Sequence, residues 1–456
     1  LDGNVGTGEG SGTGRPSEAG ESGDTRTGDG PGDSGSASDD SGRSPGKNKA
    51  KGKDSTTGRK ADGKDGIDDS NTPGGDVRLD PNTIGTGGPR AKYGRNVAAI
   101  TLLKKIEEDN RLATTEEQAI LAQYVGWGMF PGVFNDLNDK AFKNMSAEQR
   151  KEQDPNKWSQ QKEEIQELLT EEEWDSAAAS TINAHFTSPK VVQGMWDMVE
   201  RLGFEGGRVL EPASGTGNFI GFQPESMKQK SDWTAVEMDS LTGRMARQLY
   251  QGATTHIQPF EDFVVPDNTY DLAISNVPFA DITMKSDPKY KRLVPNLHDY
   301  FFLKSLDKVR PGGLVVFITS TGTMDKGSET VRSALADKAD LVAAYRLPGT
   351  AFKDNAGTEV VTDMIILKKR GVNDKPSGES WTKLSTLPDP VGEYKINHPN
   401  YGKEIPVNEF FARNKGNILG RLDRDSKLYG PGNPHVTGTK NFPALWEKAQ
   451  TSVPEG

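Results

Sequence analysis

A glycine turn between an apolar run and a helical stretch is the first feature of the sequence that could bind a ligand. Residues 209–220 have the sequence VLEPASGTGNFI, with Gly215 and Gly217 in the turn. Glycines there let the backbone approach a ligand closely, at the positive end of the following helix. Glu237, in the sequence TAVEMD, follows at about the 20-residue distance at which an acidic side chain binds the hydroxyls of an adenosine ribose. The pattern indicates a nucleoside cofactor, although NAD enzymes share it and a helix cap or surface charge would also explain Glu237.

A second segment, residues 271–279 with the sequence DLAISNVPF, suits a site for a planar group that carries an amine. Its apolar run ends in Asn276, Val277, Pro278 and Phe279. The Asn276 side-chain oxygen can accept a hydrogen bond from one amine N–H, a backbone carbonyl of the turn can accept from the other, and Phe279 offers a face for stacking. Hydride transfer has no use for these groups. An ordinary turn is the alternative, but the position at the end of a strand after a glycine turn argues against it.

These motifs resemble the DNA amino-methyltransferases, in the order where the cofactor half precedes the catalytic half, over roughly residues 181–370. The resemblance implies S-adenosylmethionine (SAM) as the cofactor and adenine N6 in DNA as the target, with the base flipped out of the duplex and methylated by direct displacement. For the contact with the adenine amine of the cofactor, it implies Asp262, with Glu261 as the less favoured alternative. The implied cofactor-binding residues are Phe186, Thr187, Pro189, Glu211, Pro212, Ala213, Gly215, Gly217, Asn218, Phe219, Glu237 and Asp262. The implied catalytic residues are Asn276, Val277, Pro278 and Phe279.

Three further segments resemble the methylase part of large phage and plasmid proteins that join a methylase to a helicase. They are VGWGMFPGVF from residue 125, HDYFFLKSLDKVRPGG from residue 298 and FKDNAGTEVVTDMIIL from residue 352. The resemblance then extends to about residues 94–420, and the first residue, Leu1, fits a chain cut from a larger parent. It implies the rest of a larger methylase-helicase polypeptide as a partner beside DNA, a role in restriction-modification or anti-restriction, and a location in the bacterial cytoplasm.

One position departs from the family pattern, and several functions stay open. Val277 stands where most relatives have proline; valine keeps the main-chain carbonyl but lacks the fixed φ, so we expect a softer turn and slower catalysis. Asn276 favours adenine, since relatives acting on cytosine N4 usually have serine there. The same motif occurs in enzymes that methylate RNA or protein glutamine. A catalytically weak or inactive methylase-fold module that binds DNA is a further alternative.

Composition excludes several kinds of chemistry. With no cysteine, the chain has no disulfide and no thiolate nucleophile, which excludes methylation of cytosine C5. Its five histidines have no zinc-binding spacing, so no metal is expected. The net charge of -10 weakens the case for DNA without excluding it, because the local field of a cleft decides binding. No apolar run approaches the roughly 18 residues of a membrane span, so no membrane partner is expected.

The order of segments predicts an α/β fold. Residues 1–90 are expected to form a disordered tail rich in Gly, Ser and Asp, residues 91–180 a helical lead-in, residues 181–370 the methyltransferase domain and residues 371–456 an irregular C-terminal extension with one helix near 408–419. Apolar runs that alternate with amphipathic stretches predict a doubly wound sheet, and the resemblance implies a mostly parallel, seven-stranded class I methyltransferase (Rossmann-like) sheet. The runs are Val209–Glu211, Thr234–Asp239, Asp271–Asn276, Leu314–Ser320, Leu341–Leu347 and Met364–Lys368.

Overall fold

The structure is a computed structural model in which the chain divides into two units, residues 1–65 and 66–456. The residues described all belong to the second unit. They are 72–134, 146, 148–149, 158–183, 187–278, 282–293, 295–351, 360–388, 404–426 and 430–456. Most of the expected disordered tail therefore lies outside the described residues.

A seven-stranded sheet forms the centre of the molecule. Its strands are β1 (Gly207–Glu211), β2 (Ser231–Glu237), β3 (Thr254–Ile257), β4 (Tyr270–Asn276), β5 (Val309–Ser320), β6 (Ala339–Leu347) and β7 (Thr362–Lys369). They lie in the order β3-β2-β1-β4-β5-β7-β6. Neighbours from β3 to β5 pair in parallel, while β7 is antiparallel to both β5 and β6. The mostly parallel class I methyltransferase sheet expected from the sequence is confirmed.

Helices flank this sheet and precede it. The α-helices of the described residues are α1 (Pro89–Glu108), α2 (Thr115–Leu121), α3 (Lys162–Leu168), α4 (Glu171–Asn183), α5 (Pro189–Arg201), α6 (Asn218–Gly221), α7 (Glu225–Lys228), α8 (Ser240–Leu249), α9 (Leu297–Lys308), α10 (Gly322–Asp325), α11 (Thr330–Ala336), α12 (Glu409–Arg413) and α13 (Phe442–Ser452). In the helical lead-in, Thr114 and Glu117 form a capping box at the start of α2. Within the described residues, no helix has the length and apolarity needed to cross a bilayer.

Two apolar layers cover the faces of the sheet. Successive residues of a strand point to opposite faces, so Val209 packs in one layer and Leu210 in the other. The first layer contains the apolar side of α5, including Trp196, and the second contains the aromatic residues of α9, including Phe302. Both faces are buried, as a mostly parallel sheet requires.

The segment 371–456, expected to be irregular, contains regular elements. Strands β8 (Leu384–Leu387) and β9 (Ile405–Asn408) pair, as do β10 (Arg421–Ser426) and β11 (Gly430–Thr437). The helix expected near 408–419 is shorter and corresponds to α12. Its cap, Asn408, is buried and donates to the carbonyls of Met324 and Trp381 at 2.8 Å, which attaches this segment to α10.

Candidate active site

The glycine turn follows β1 and has left-handed backbone at both expected positions. Gly215 has a φ of 54° and Gly217 a φ of 84°, values that favour glycine over any residue with a Cβ atom. A Cβ at Gly217 would lie 2.4 Å from the Tyr250 ring, whereas a Cβ at Gly215 would meet nothing within 4 Å. Gly217 therefore has to be glycine for packing, and Gly215 presents backbone to open space that a ligand could enter.

Two carboxylates end the neighbouring strands β1 and β2. Glu211 is 1% exposed, and its Oε2 atom is buried without a hydrogen-bond partner among the described residues. Burial, and then the charge of Glu237, raise the pKa of Glu211 well above its usual range. A buried acceptor without a donor costs about 1–3 kcal/mol, so Glu211 is suited to a ligand that donates a hydrogen bond.

Glu237 is held by backbone N–H groups at the tip of β2. Its Oε2 accepts from Gly215 N at 2.7 Å and its Oε1 from Asp239 N at 2.8 Å. Burial raises the pKa of Glu237 to about 7, the charge of Asp239 acts in the same direction, and the backbone donors oppose them. The contact with Gly215 joins the second carboxylate directly to the glycine turn.

Asn276 ends β4, the strand on the other side of β1, and Val277 and Pro278 follow it. Asn276 lies opposite Ile318 of β5, and Val277 N donates to the Ile318 carbonyl at 3.1 Å. Val277 is 1% exposed, so its side chain belongs to the core. Ser275 Oγ donates to the Ala213 carbonyl at 3.2 Å, which attaches the end of β4 to the glycine turn. The tips of β1, β2 and β4 thus form one continuous edge.

The other expected residues fall into three groups. Those beside the glycine turn or at the start of the adjoining helices are Thr187, Pro189, Pro212, Ala213, Asn218 and Phe219. Thr187 and Phe219 are buried, and Trp196 Nε1 of α5 donates to the Phe219 carbonyl at 3.0 Å, which attaches α5 to α6. Asp262 is exposed on a 3-10 turn beyond β3. Phe186 and Phe279 lie outside the described residues.

Tyr250, which no sequence pattern indicated, packs against the glycine turn. It is 1% exposed, its ring lies against Gly217, and burial together with the Glu211 charge raises the pKa of its hydroxyl well above the usual range. A tyrosine after the apolar side of a helix carries no distinct signal. Over the described residues there is no group of three or more potential ligand side chains that could hold a metal ion.

A phage protein is related to part of the chain. Over 212 residues the chain is 29% identical to the defense against restriction protein B of Escherichia phage P1, a match that covers 45% of this chain and 9% of the phage protein. The chain therefore spans only a small part of that relative's length. No family model matches the chain.

Solved structures of methyltransferases resemble the fold. A Listeria monocytogenes protein assigned as a class I SAM-dependent methyltransferase is 16% identical, with a TM-score of 0.38 over 63% of this chain and 89% of that one. The type I restriction-modification methyltransferase subunit of Streptococcus thermophilus is 16% identical, with a TM-score of 0.35 over 61% of this chain and 66% of that one. The strand order, rather than either superposition, defines this chain as having the SAM-dependent methyltransferase fold.

Alanine at the two glycines of the turn is expected to have unequal effects on stability. Gly217→Ala should lower the free energy of unfolding by about 3 kcal/mol, because left-handed backbone and overpacking each cost roughly 1–2 kcal/mol. Gly215→Ala should cost only the backbone part, about 1 kcal/mol. Urea denaturation of both variants measures the difference, and equal losses would contradict the packing of Gly217 against Tyr250.

Proposed function

We propose that this chain transfers a methyl group from SAM to the N6 amine of adenine in DNA. One observation carries the proposal: Glu237, Glu211 and Asn276 end three neighbouring parallel strands at one edge of the sheet. In an open α/β sheet, ligands bind outside the carboxyl ends of the strands where the strand order reverses. On one side of that point, Glu211 and Glu237 offer hydrogen-bond acceptors for a nucleoside. On the other side, Asn276 begins an amine-binding motif. This arrangement suits transfer of a methyl group from a nucleoside cofactor to an amine.

The residues around the glycine turn fit SAM. Glu211 and Glu237 would accept hydrogen bonds from its amino and hydroxyl groups, and the open side of Gly215 leaves room for it. The resemblance assigns Thr187 and Pro189 to its methionine part and Asp262 to its adenine amine. When bound, SAM supplies an electrophilic methyl group.

Asn276 and Val277 would hold the target amine. The Asn276 side-chain oxygen and the Val277 carbonyl each accept one N–H, which leaves the nitrogen lone pair pointing away from both acceptors. Positive charge develops on the nitrogen during transfer, and the two acceptors stabilise that charge. Phe279 would stack on the base after it leaves the duplex, offsetting part of the few kcal/mol that flipping costs.

The adenine assignment depends on the residue type at position 276. Asparagine offers a planar carboxamide acceptor, as in the adenine-specific relatives that the motif resembles. The phage relative is named for defense against restriction, so we extend the proposal to a protective methylation of DNA in the bacterial cytoplasm.

The affinity for SAM is expected to rise with pH. Glu237 has a pKa of about 7, so its protonated form prevails below that pH and has lost acceptor capacity for the ribose hydroxyls. The affinity for SAM should increase about tenfold from about pH 6 to about pH 8, in proportion to the ionised fraction of Glu237. Calorimetric titration of wild type and Glu237→Gln measures it. The variant should bind more weakly with a flatter profile, any remaining slope belonging to Glu211. An equal slope in both proteins would refute the assignment.

Asn276→Ala is expected to abolish product without loss of cofactor. Turnover should fall about 100-fold or more, because one of two acceptors for the developing charge is lost, while the Kd for SAM stays within about twofold. The measurement is incubation with methyl-labelled SAM and unmethylated DNA, followed by nucleoside analysis for N6-methyladenine. Asn82→Ala, an exposed change of the same chemistry, is the control.

RNA and a glutamine-containing peptide serve as parallel substrates in that assay. Methylated product from RNA or from the peptide, without product from DNA, would contradict the DNA assignment and leave methylation of an amine standing. Saturable SAM binding without product from any substrate would favour a DNA-binding module with a methylase fold.

A further inference from the structure

A cavity of about 350 Å³ is lined by residues that precede or belong to α9 and by residues that follow β5. Arg292 lies in the segment between the Asn276 motif and α9. Lys326 follows α10, and Arg332 belongs to α11. Asp299 of α9 and Thr330 also line the cavity. The cavity is separate from the glycine turn and has no part in the proposed binding of SAM.

The charged residues that line the cavity are mostly cationic: Arg292, Lys326 and Arg332 against the carboxylate of Asp299. Asp325, Glu329 and Glu409 also act on the charge of Arg332, but Asp325 pairs with Arg346 and Glu409 pairs with Arg413. Arg292 is exposed and makes no ion pair or hydrogen bond with another described residue. Lys326 Nζ donates to Asn296 Oδ1 at 3.0 Å, a neutral partner that leaves the positive charge unneutralised. In a chain with a net charge of -10, such a concentration of positive charge attracts anions locally.

Arg332 is a fixed part of this lining. It is 1% exposed, and its Nε donates to the Thr382 carbonyl at 2.8 Å and its Nη1 to the Thr323 carbonyl at 3.3 Å. Its Nη2 is buried without a hydrogen-bond partner among the described residues. A buried guanidinium normally bonds through every nitrogen, so Nη2 is an unused donor on a residue that lines the cavity, and the guanidinium places a positive charge at the cavity wall. Asp299 is 2% exposed, and burial raises the pKa of its carboxyl.

The cavity lies close to the Asn276 motif. Ile318 of β5 pairs with Asn276, and Thr323, five residues further, lies at the cavity wall. At no more than about 3.6 Å per residue, that wall is within about 18 Å of the residue paired with Asn276. Phosphates follow one another at about 3.4 Å along the axis of each duplex strand, so a phosphate in the cavity would belong to a nucleotide a few steps from the base.

We infer that this cavity binds a phosphodiester of the nucleic-acid strand whose base is methylated. The inference rests on the proposed function and deepens it by naming a site for the backbone of the substrate strand; a protein glutamine would bring no phosphate to such a site. Arg332 gives the site a fixed positive charge, while Arg292 and Lys326 bring charge from two separate segments. Free phosphate shares the chemistry, so a test has to distinguish backbone phosphate from inorganic phosphate.

Charge reversal at Arg292 tests the inference. Arg292→Glu should weaken binding of an adenine-containing DNA oligonucleotide about tenfold and reduce the log-log salt slope by about 1, with SAM affinity unchanged. Lys375→Glu is the matched control, because Lys375 is exposed and lies near Ser377, which contacts Asp340 at the amino end of β6, the opposite edge of the sheet. Lys326→Ala provides a second variant that removes charge from the other segment. Equal DNA affinity of Arg292→Glu and Lys375→Glu would overturn the inference.

Neutral methylphosphonate linkages locate the contact. Replacing single phosphates near the target adenine should weaken binding by wild type at one position, and Arg292→Glu should be insensitive at that position. Equal sensitivity of both proteins at every position would contradict a phosphodiester in the cavity.

Inorganic phosphate separates failure of the inference from failure of the proposed function. Methylation of DNA with identical kinetics in wild type and Arg292→Glu would overturn the cavity and leave the function standing. If wild type neither binds nor methylates DNA, the proposed function fails. In that case the Tm with inorganic phosphate decides what the cavity binds. If phosphate raises the Tm of wild type but not that of Arg292→Glu, the cavity is an anion site, and its assignment to nucleic acid is overturned. If phosphate does not raise the Tm of wild type, the site itself is overturned.

Discussion

The parallel alignment of β2, β1 and β4 is the constraint on which the site depends. Because β1 lies between the other two and all three run in one direction, Glu237, Glu211 and Asn276 reach the same edge despite their separation in sequence. Hydrogen bonds then fix the edge locally, from Gly215 N to Glu237 and from Ser275 Oγ to the Ala213 carbonyl of the same glycine turn. Reversing any one strand would carry its terminal side chain to the opposite edge and separate the proposed cofactor acceptors from the proposed amine-binding motif.

Val277 illustrates how the surroundings alter the meaning of a residue. The sequence predicts a softer turn, since valine lacks the fixed φ of proline. In the fold, Val277 N donates to the Ile318 carbonyl, a bond that proline cannot make, and the side chain is buried in the core. A hydrogen bond contributes about 1 kcal/mol and full burial of valine about 1.5 kcal/mol or more. These contacts anchor the turn by means other than ring rigidity, and they leave in place the carbonyl to which the proposed mechanism gives a role.

The sequence predicted the features that depend on local pattern and missed those that depend on distant partners. Apolar runs identified six of the seven strands, but β3, with the sequence TTHI, has too few apolar residues to form such a run. The two small C-terminal sheets were missed because β8 is mostly exposed and carries little apolar signal. Tyr250 and the cavity bounded by Arg292 and Arg332 could not be predicted, because each acquires its surroundings from segments far along the chain. The strand tips could be predicted, since glycine φ and strand-end carboxylates are properties of short motifs.

Hydrogen-deuterium exchange with SAM and then DNA tests most directly whether the three strand tips form one site. SAM should slow exchange in peptides that cover residues 211–219 and 236–240 together, because both sets of backbone N–H groups lie at the proposed cofactor site. Addition of unmethylated DNA should then slow exchange around residues 276–278. Protection by SAM at only one of the first two segments, or by DNA only at sites remote from Asn276, would contradict a single composite site at this edge.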